Sequence, residues 1–234
     1  MTKILCLTFV LFASVNVFAQ EKTIQRAEFE TITRSSSRLM AGKPRRIIRT
    51  QQSTVEIAPQ TNVSNASAKS LPPSTILVKS VTEVLPEVGF RSIYEFNSSS
   101  KNIKKEIIKV AGKTYTREGN GEWTETFSEI TSKRESAARN IVNQVEYKSF
   151  GSDRLGNQNT SIYAKIERSK FTNPSDNRES ISSTTTKYWY GEDGRLLKRE
   201  RTREIRNGKM ISKFNSTTVF ELDPNIKIEA PKLN

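Results

Sequence analysis

The chain contains no histidine and only one cysteine. The absence of histidine excludes a Ser-His-Asp triad, a Cys-His pair, and the zinc and iron sites that depend on imidazole ligands. A single cysteine cannot form a disulfide within the chain, so the core and the backbone hydrogen bonds must hold the fold together. Most of the common enzyme mechanisms are therefore closed to this protein.

Large apolar side chains and acidic residues are also scarce. Hydrophobic residues make up 34% of the 234 residues, and 38 Lys+Arg outnumber 25 Asp+Glu, which gives a net charge of +13. This hydrophobic fraction is low for a globular domain but higher than in most disordered chains. The length is enough for one large β domain or at most two small ones.

Residues 1–19 have the pattern of a secretory signal peptide. Lys3 supplies the positive start, residues 4–13 form a short apolar run, and Val17 and Ala19 are the small residues that a signal peptidase requires. The run is too short for a membrane-spanning helix, which needs about 20 apolar residues. We therefore expect cleavage after Ala19 and export to the periplasm. Cleavage would leave a mature chain without cysteine and with a net charge of +12.

Two segments have the spacing of amphipathic helices. Residues 21–40 carry a narrow apolar stripe at offsets of three and four, formed by Phe29, Ile32, Ser36, Leu39 and Met40. Gly42 and Pro44 predict its end. A second, short helix is predicted from the capping box at residues 132–135. Its apolar positions are Ala138, Ile141, Val142 and Val145.

Most of the remaining chain is predicted to form strands joined by turns. The strands are expected at residues 45–58, 76–84, 89–97, 103–110, 113–117, 145–150, 159–171, 181–190, 195–206 and 209–221. Turn residues occur between them at Ala111-Gly112, Asn120-Gly121, 191–194 and Asn207-Gly208. Tight turns make consecutive strands antiparallel. Residues 59–75 are rich in Asn, Ser and Pro, which predicts a polar loop.

The predicted fold class is therefore mainly β, of the α+β type, in a single domain over residues 20–234. We expect one large curled antiparallel sheet, an unclosed β-barrel, with the N-terminal helix and the second short helix covering one face.

Three segments resemble a known family. Residues 110–123 contain Gly-Lys-x-Tyr followed by Gly-x-Trp, residues 187–197 contain Tyr-Trp followed by Gly-Arg-Leu, and residues 225–231 contain Ile-x-Ile-x-x-Pro. This order is similar to the periplasmic lipoprotein-carrier superfamily, the LolA/LppX-like fold, over about residues 22–232. The resemblance implies an unclosed β-barrel whose concave apolar face is covered by helices and accepts acyl chains or other lipids.

Several apolar faces could line such a cavity or simply form the core. Phe90, Tyr94 and Phe96 share one face of a strand with a clean period of two. Further stripes come from Ile162, Ala164 and Ile166, and from Met210, Phe214 and Phe220. In a half-barrel the core face and the cavity are the same surface. The candidate cavity-lining residues are Phe90, Tyr94, Phe96, Ile162, Ile166 and Phe214.

The segment from Arg195 to Arg206 has no apolar face. Its arginines share one side, and these are Arg195, Arg199, Arg201 and Arg203. Such a strand is solvated on both faces or lies at a sheet edge, where charges prevent aggregation. Alternatively it is an anion-binding ladder for lipid phosphates or another polyanion, because guanidinium groups match phosphate oxygens. Arg45, Arg46 and Arg49 extend this patch if folding brings them close.

The leading functional hypothesis is a non-enzymatic periplasmic protein that buries a lipid or lipoprotein acyl chain, at about 0.8 kcal/mol per methylene. The alternative is an envelope-associated interaction protein with a filled core, which docks polyanions or a protein partner through basic strands. A catalytic site is not predicted, because Ser98 and Lys101 lie in a Ser-rich loop and Glu192 and Asp193 in a turn.

The expected partners follow from export and charge. They are a lipid or acylated protein and an anionic membrane surface, which an exported basic protein can reach. Nucleic acid is not expected, because the chain carries an export signal and no recognisable binding motif. We expect a monomer that needs no cofactor and no metal.

Overall fold

The structure is a computed structural model that describes residues 21–57, 74–126, 141–172, 179–208 and 210–233. The predicted signal peptide, nearly all of the predicted polar loop and the first part of the predicted second helix lie outside these residues. Within them, no helix has both the length and the apolar character needed to cross a bilayer.

The described chain forms one helix and one antiparallel sheet of twelve strands. The elements are β1 (Lys22–Thr23), α1 (Arg26–Met40), β2 (Arg45–Ile57), β3 (Ser74–Leu85), β4 (Gly89–Asn97), β5 (Asn102–Val110), β6 (Lys113–Glu118), β7 (Thr124–Thr126), β8 (Ile141–Leu155), β9 (Gln158–Thr172), β10 (Glu179–Gly191), β11 (Leu196–Asn207) and β12 (Met210–Leu222). Their order is β1-β8-β9-β10-β11-β12-β2-β3-β4-β5-β6-β7. The sheet is not closed, since β1 and β7 lie at opposite ends, and the predicted single antiparallel sheet with an N-terminal helix is confirmed.

The second predicted helix is wrong where the structure describes it. Ile141, Val142 and Val145 belong to β8 and pair with Phe171, Lys170 and Glu167 of β9. β-Branched residues favour strands, and the adjacent strand β9 offers a ladder of backbone hydrogen bonds.

Smaller corrections concern the boundaries of two predicted elements. The N-terminal helix starts at Arg26 rather than residue 21, and Ser74 and Thr75, assigned to the loop, begin β3.

The sheet has two faces that differ in their cover. We call the side that carries Tyr188 and Tyr190 the helix face, because α1 packs there. The Phe29 ring lies 4.9 Å from that of Tyr147 and 5.5 Å from that of Tyr188, and the Thr33 hydroxyl lies 3.4 Å from that of Tyr190. The opposite side is the outer face. The predicted stripe of α1 is thus confirmed at its centre, where Phe29 and Ser36 are buried.

A β-bulge in β11 ties α1 to the sheet. Trp189 pairs with Lys198 but Tyr190 pairs with Leu196, so one residue of β11 is left out of the ladder. The residue left out is Leu197. Next to it, the backbone N–H of Leu196 donates to the Ser36 hydroxyl oxygen, at 2.8 Å. The buried serine in an otherwise apolar stripe is therefore explained by a backbone group that needs an acceptor.

We expect Ser36→Ala to lower the free energy of unfolding by about 1–2 kcal/mol, because the Leu196 N–H would lose its acceptor. Urea denaturation followed by circular dichroism measures the change. Ser37→Ala is the matched control, since the exposed Ser37 hydroxyl donates only to the Thr33 carbonyl within the helix. Equal midpoints for the two variants would contradict this role of Ser36.

The outer face is covered at one end by the C-terminal segment, residues 223–233. Asp223 pairs with Arg46 at 3.0 Å, and its backbone N–H donates to the Pro44 carbonyl. Ile226 and Ile228 then pack with Ile108 and Tyr115 in a buried cluster, against which Leu85, Val110 and Trp123 lie. The segment thus crosses from the end of β12 to β5 and β6, which leaves the helix face as the less covered side of these strands.

Candidate ligand-binding site

A cavity of about 490 Å³ lies between the C-terminal half of α1 and the helix face. Apolar and aromatic side chains form much of its wall, notably Met40, Tyr188, Tyr190, Leu196 and Phe220. Two arginines, Arg45 and Arg199, also line it. The α1 cavity therefore combines an apolar interior with positive charge, as a site for an amphiphile requires.

Tyrosine rings form the inner wall of the α1 cavity. Tyr190 packs edge-on against Tyr163 at 5.9 Å and stacks on Tyr188 at 6.3 Å. Burial raises the pKa of Tyr190, although its hydrogen bond with Thr33 opposes this. Burial also raises the pKa of Tyr188, against the effect of the nearby Arg199 and Lys165. Both phenols are thus neutral at physiological pH, and the wall carries no negative charge.

A smaller groove of about 160 Å³ lies further along β11. It is lined by Arg49, Gln51, Arg201, Arg203, Phe214 and Ser216, and we call it the arginine groove. Within it, Arg49 donates to the Gln51 side-chain oxygen at 2.8 Å, and Arg203 donates through Nε to the Ser182 hydroxyl at 3.2 Å. These contacts orient the guanidinium groups without neutralising them.

Hydroxyl side chains flank the arginines on the helix face. On β10 they form a buried row of Ser180, Ser182, Thr184 and Thr186. On β12, Ser216 lies opposite Arg201 and the buried Thr218 lies opposite Arg199. The arginines of β11 therefore lie between two hydroxyl-bearing strands, a combination that suits the oxygens of an anion.

The structure separates the predicted anion-binding residues. The register places Arg199, Arg201 and Arg203 together on the helix face, as predicted. Arg195 lies outside this row, because it precedes β11 and pairs with Asp193 in the β10–β11 turn. The interpretation of this strand as a sheet edge is wrong, since β11 has β10 and β12 as neighbours. Charge patterning alone could not exclude an edge, because both faces of the strand are polar.

The three extending arginines have different positions. Arg49 joins the arginine groove and Arg45 lines the α1 cavity. Arg46 lies on the outer face, where it pairs with Glu83 at 2.9 Å and with Asp223. Only the two odd-numbered residues therefore extend the patch, as the period of two requires.

The predicted cavity-lining residues also fall into separate groups. Phe90, Tyr94, Phe96 and Phe214 lie on the helix face, whereas the register places Ile162 and Ile166 on the outer face. One cavity lined by all six is therefore impossible. Ile162 packs instead opposite Trp189, which is covered by the Lys198 ammonium 4.6 Å above its ring. A period of two shows that residues share a face, but it does not show which face.

The β4 residues form a second apolar surface on the helix face. A shallow depression of about 480 Å³ is lined by Val84, Phe90 and Tyr94, among others, and Tyr94 is 36% exposed. We call this surface the aromatic patch, together with Phe96, which shares the face. It lies four strands from β11, and thus about 19 Å away at about 4.8 Å per strand.

The α1 cavity and the aromatic patch are linked across the sheet. Phe220 of the cavity wall aligns with Ile47 of β2 and then with Thr82 of β3, all on the helix face. The Thr82 and Ser92 hydroxyls bind each other at 2.8 Å, so they leave few free polar groups on this path. The register therefore aligns a track of residues between the cavity and the patch on the helix face, beside the arginine groove.

Another cavity is polar and lies elsewhere. It measures about 640 Å³ and is lined by Ser152, Asp153, Arg154, Asn159, Thr160, Ser161 and Glu192. The Asn159 amide donates to the Glu192 carboxylate across it, at 2.8 Å. Its lining residues are all polar or charged, so it suits a lipid chain poorly. Nor do the described residues bring three His, Cys, Asp or Glu side chains together in a group suited to a metal ion.

The sequence patterns did not single out the tyrosines of the α1 cavity, although Tyr188 and Tyr190 continue the period of two that begins at Ser180. Cross-strand register was needed to align Arg49 with Arg199 across Thr218, and so to bring it into one groove with Arg201. Together these residues give one face of the sheet an apolar track and a basic groove. Scans of the chain against protein-family models and against curated proteins find no match.

Proposed function

We propose that this protein is an exported, periplasmic binding protein that holds an acyl chain of a lipid or lipoprotein on the helix face of its open sheet. The α1 cavity carries this proposal, because it is a space of about 490 Å³ between a helix and a sheet, and more of its wall is apolar than polar. Each methylene buried there would contribute about 0.8 kcal/mol. The resemblance to the lipoprotein carriers and the predicted signal peptide support the same function.

The aromatic patch provides further support. A contiguous exposed apolar patch is typical of a binding site, and Tyr94 is substantially exposed here. An acyl chain that leaves the α1 cavity along Phe220 and Ile47 would reach this patch. The filled core expected for a pure interaction protein fits less well with a cavity of this size.

The first experiment is to identify what the protein carries. The full chain with its own signal would be produced in a diderm bacterium, purified from the periplasm without detergent, and extracted for mass spectrometry. We expect an acyl-containing lipid at near-stoichiometric amounts, absent from a control periplasmic protein. A stable but empty protein would count against the proposal.

A cavity-filling variant tests whether the α1 cavity holds the lipid. Met40→Trp would add bulk to the cavity wall, and we expect it to reduce the retained lipid about tenfold, equivalent to about 1.4 kcal/mol. Thr31→Trp introduces the same side chain at an exposed position of α1 and should retain the lipid. If folded Met40→Trp protein retains as much lipid as the control, the cavity is not the site.

A further inference from the structure

We infer that the arginine groove is a phosphate-binding site, and that the protein therefore selects amphiphiles with a phosphate-bearing headgroup. The selection of an amphiphile rests on the proposed function, whereas the phosphate site does not. Three arginines line the groove, Arg49, Arg201 and Arg203, together with Ser216.

The two faces of β11 are neutralised differently. On the outer face, Lys198 pairs with Glu200 at 2.6 Å and Arg206 pairs with Glu204 at 2.6 Å. On the helix face, the structure shows no ion pair between Arg199, Arg201 or Arg203 and any carboxylate of the described residues. The same strand thus balances its charge on one side and concentrates it on the other.

The uncompensated charge extends to the neighbouring strands. Arg49 of β2 has Gln51 as its hydrogen-bond partner rather than a carboxylate. Glu167 of β9 lies on the same face, but it pairs with Lys165 at 2.8 Å. Positive charges that share a small groove repel one another, and a bound anion would remove that repulsion.

The register gives the groove a suitable shape for one small anion. Arg199 and Arg49 align on either side of Thr218, and Arg201 and Gln51 on either side of Ser216. Backbones two strands apart are separated by about 10 Å, a gap that two long arginine side chains can close around an anion. The volume of about 160 Å³ suits a headgroup rather than a whole ligand, since drug-sized sites measure about 300–1,000 Å³.

Phosphate fits these donors better than a carboxylate does. A guanidinium presents a planar fork of N–H groups that binds two phosphate oxygens at once, and several arginines can share the oxygens of a single group. Ser216, which also lines the groove, has a hydroxyl that can act as a neutral donor. Three arginines and a hydroxyl exceed what the two oxygens of one carboxylate can accept with good geometry.

The groove is correctly placed for the headgroup of a lipid held in the α1 cavity. Arg199 lines the cavity and Arg201 lines the groove. Two residues along a strand span about 6.6 Å. A phosphate in the groove would therefore lie one short linkage from an acyl chain in the cavity.

The test compares two ligands that differ only in the phosphate, lysophosphatidic acid and the monoacylglycerol of the same chain length. Affinities would be measured by isothermal titration calorimetry below the critical micelle concentrations. We expect lysophosphatidic acid to bind the native protein about 10–100-fold more tightly, since each charge-assisted contact is worth about tenfold. A ratio near one would overturn the inference.

Arginine variants test whether the arginine groove causes the preference for lysophosphatidic acid. Arg49→Gln combined with Arg201→Gln should bring the ratio close to one while leaving the affinity for monoacylglycerol unchanged. Arg201→Lys keeps the charge but loses the planar set of guanidinium N–H donors. It should give an intermediate ratio of the two ligand affinities. Arg206→Gln removes a charge from the outer face of the same strand and should keep the native ratio. An equal loss in Arg206→Gln would show that only net charge matters, which would contradict a built site.

Inorganic phosphate separates failure of the site from failure of the proposed function. We expect millimolar phosphate to raise the thermal midpoint of the native protein above that in chloride at equal ionic strength, and not that of the double variant. If this holds and neither lipid binds, the phosphate site stands and the acyl-binding proposal fails. If phosphate has no effect and both lipids bind equally, the proposed function stands and this inference fails.

Discussion

Replacing Glu106 with glutamine is expected to lower the free energy of unfolding by about 2–3 kcal/mol. Glu106 is the buried centre of an ion-pair network on the outer face, where its two carboxylate oxygens accept from Arg91 and Arg117, each at 2.6 Å. Arg117 also lies 4.6 Å from the centre of the Trp123 ring. Glutamine keeps the shape but leaves both guanidinium groups without a counter-charge. The cost is below that of a fully buried pair because both arginines are partly exposed, at 41% and 34%.

The same network should make stability depend on pH. Burial alone would raise the pKa of Glu106, but the hydrogen bonds from Arg117 and Arg91 outweigh it and hold that pKa below its usual value of 4.5. The unfolded chain therefore binds the proton more tightly, so the stabilisation is complete above about pH 4.5 and is lost as the pH falls through the lower folded value. The difference between the native protein and Glu106→Gln should accordingly shrink below pH 4.5.

Urea titrations at pH 7 and at a series of acidic pH values would measure both effects. Glu30→Gln is the matched control, because Glu30 also pairs with an arginine at 2.6 Å, but on the exposed surface of α1. Its midpoint should stay close to that of the native protein. A Glu106 variant as stable as this control would show that the network is not a determinant of stability.

Local features of the fold were predictable because they depend on short stretches of chain. The Ala111-Gly112 turn was predicted from two residues, and both have positive φ, 50° and 77°. The β11–β12 hairpin was predicted from Asn207-Gly208, and Gly208 has φ of 56°. The strands β1 and β7 were missed because runs of two and three residues carry no period.

Long-range features could not be predicted in the same way. The pairing of β12 with β2 joins residues that are more than a hundred positions apart, and it brings Arg49 beside the arginines of β11. The polar character of β11 on both faces suggested an edge, yet the strand is interior. Its polar helix face is consistent with a binding surface, where sequences often break the rules of core packing.

The two faces of the sheet have different roles, since the outer face supplies stability and the helix face carries the proposed binding surfaces. This explains why a chain with so few apolar residues can fold. On the outer face, Ile226 and Ile228 cover the cluster around Ile108 and Tyr115, and the Glu106 carboxylate pairs with two arginines. The helix face is then free to carry an apolar track and an unneutralised basic groove. We expect substitutions on the outer face to affect stability mainly, and those in the groove to affect binding mainly.

Gly89→Ala is expected to lower the free energy of unfolding by about 4 kcal/mol or more. We expect no other glycine-to-alanine substitution in the sheet to be as destabilising. A Cβ atom at Gly89 would lie 1.8 Å from the backbone carbonyl oxygen of Lys109 and 2.8 Å from its carbonyl carbon. These are main-chain atoms of β5, which pairs with β4 at this point through Gly89 and Val110. The clash can be relieved only by separating the two strands that carry the aromatic patch and the outer cluster.

Gly112→Ala distinguishes this clash from simple backbone strain. Gly89 and Gly112 both have a positive φ, of 157° and 77°, but a Cβ atom at Gly112 would meet nothing within 4 Å. Gly112→Ala should therefore lower the free energy of unfolding by only about 1–2 kcal/mol, which is the cost of placing alanine in the left-handed region. Urea denaturation of both variants measures the difference, and we expect Gly89→Ala to be less stable by at least about 2 kcal/mol. Equal losses would mean that β5 can move away from β4 at little cost, and that the β4–β5 ladder does not hold the aromatic patch rigidly in place.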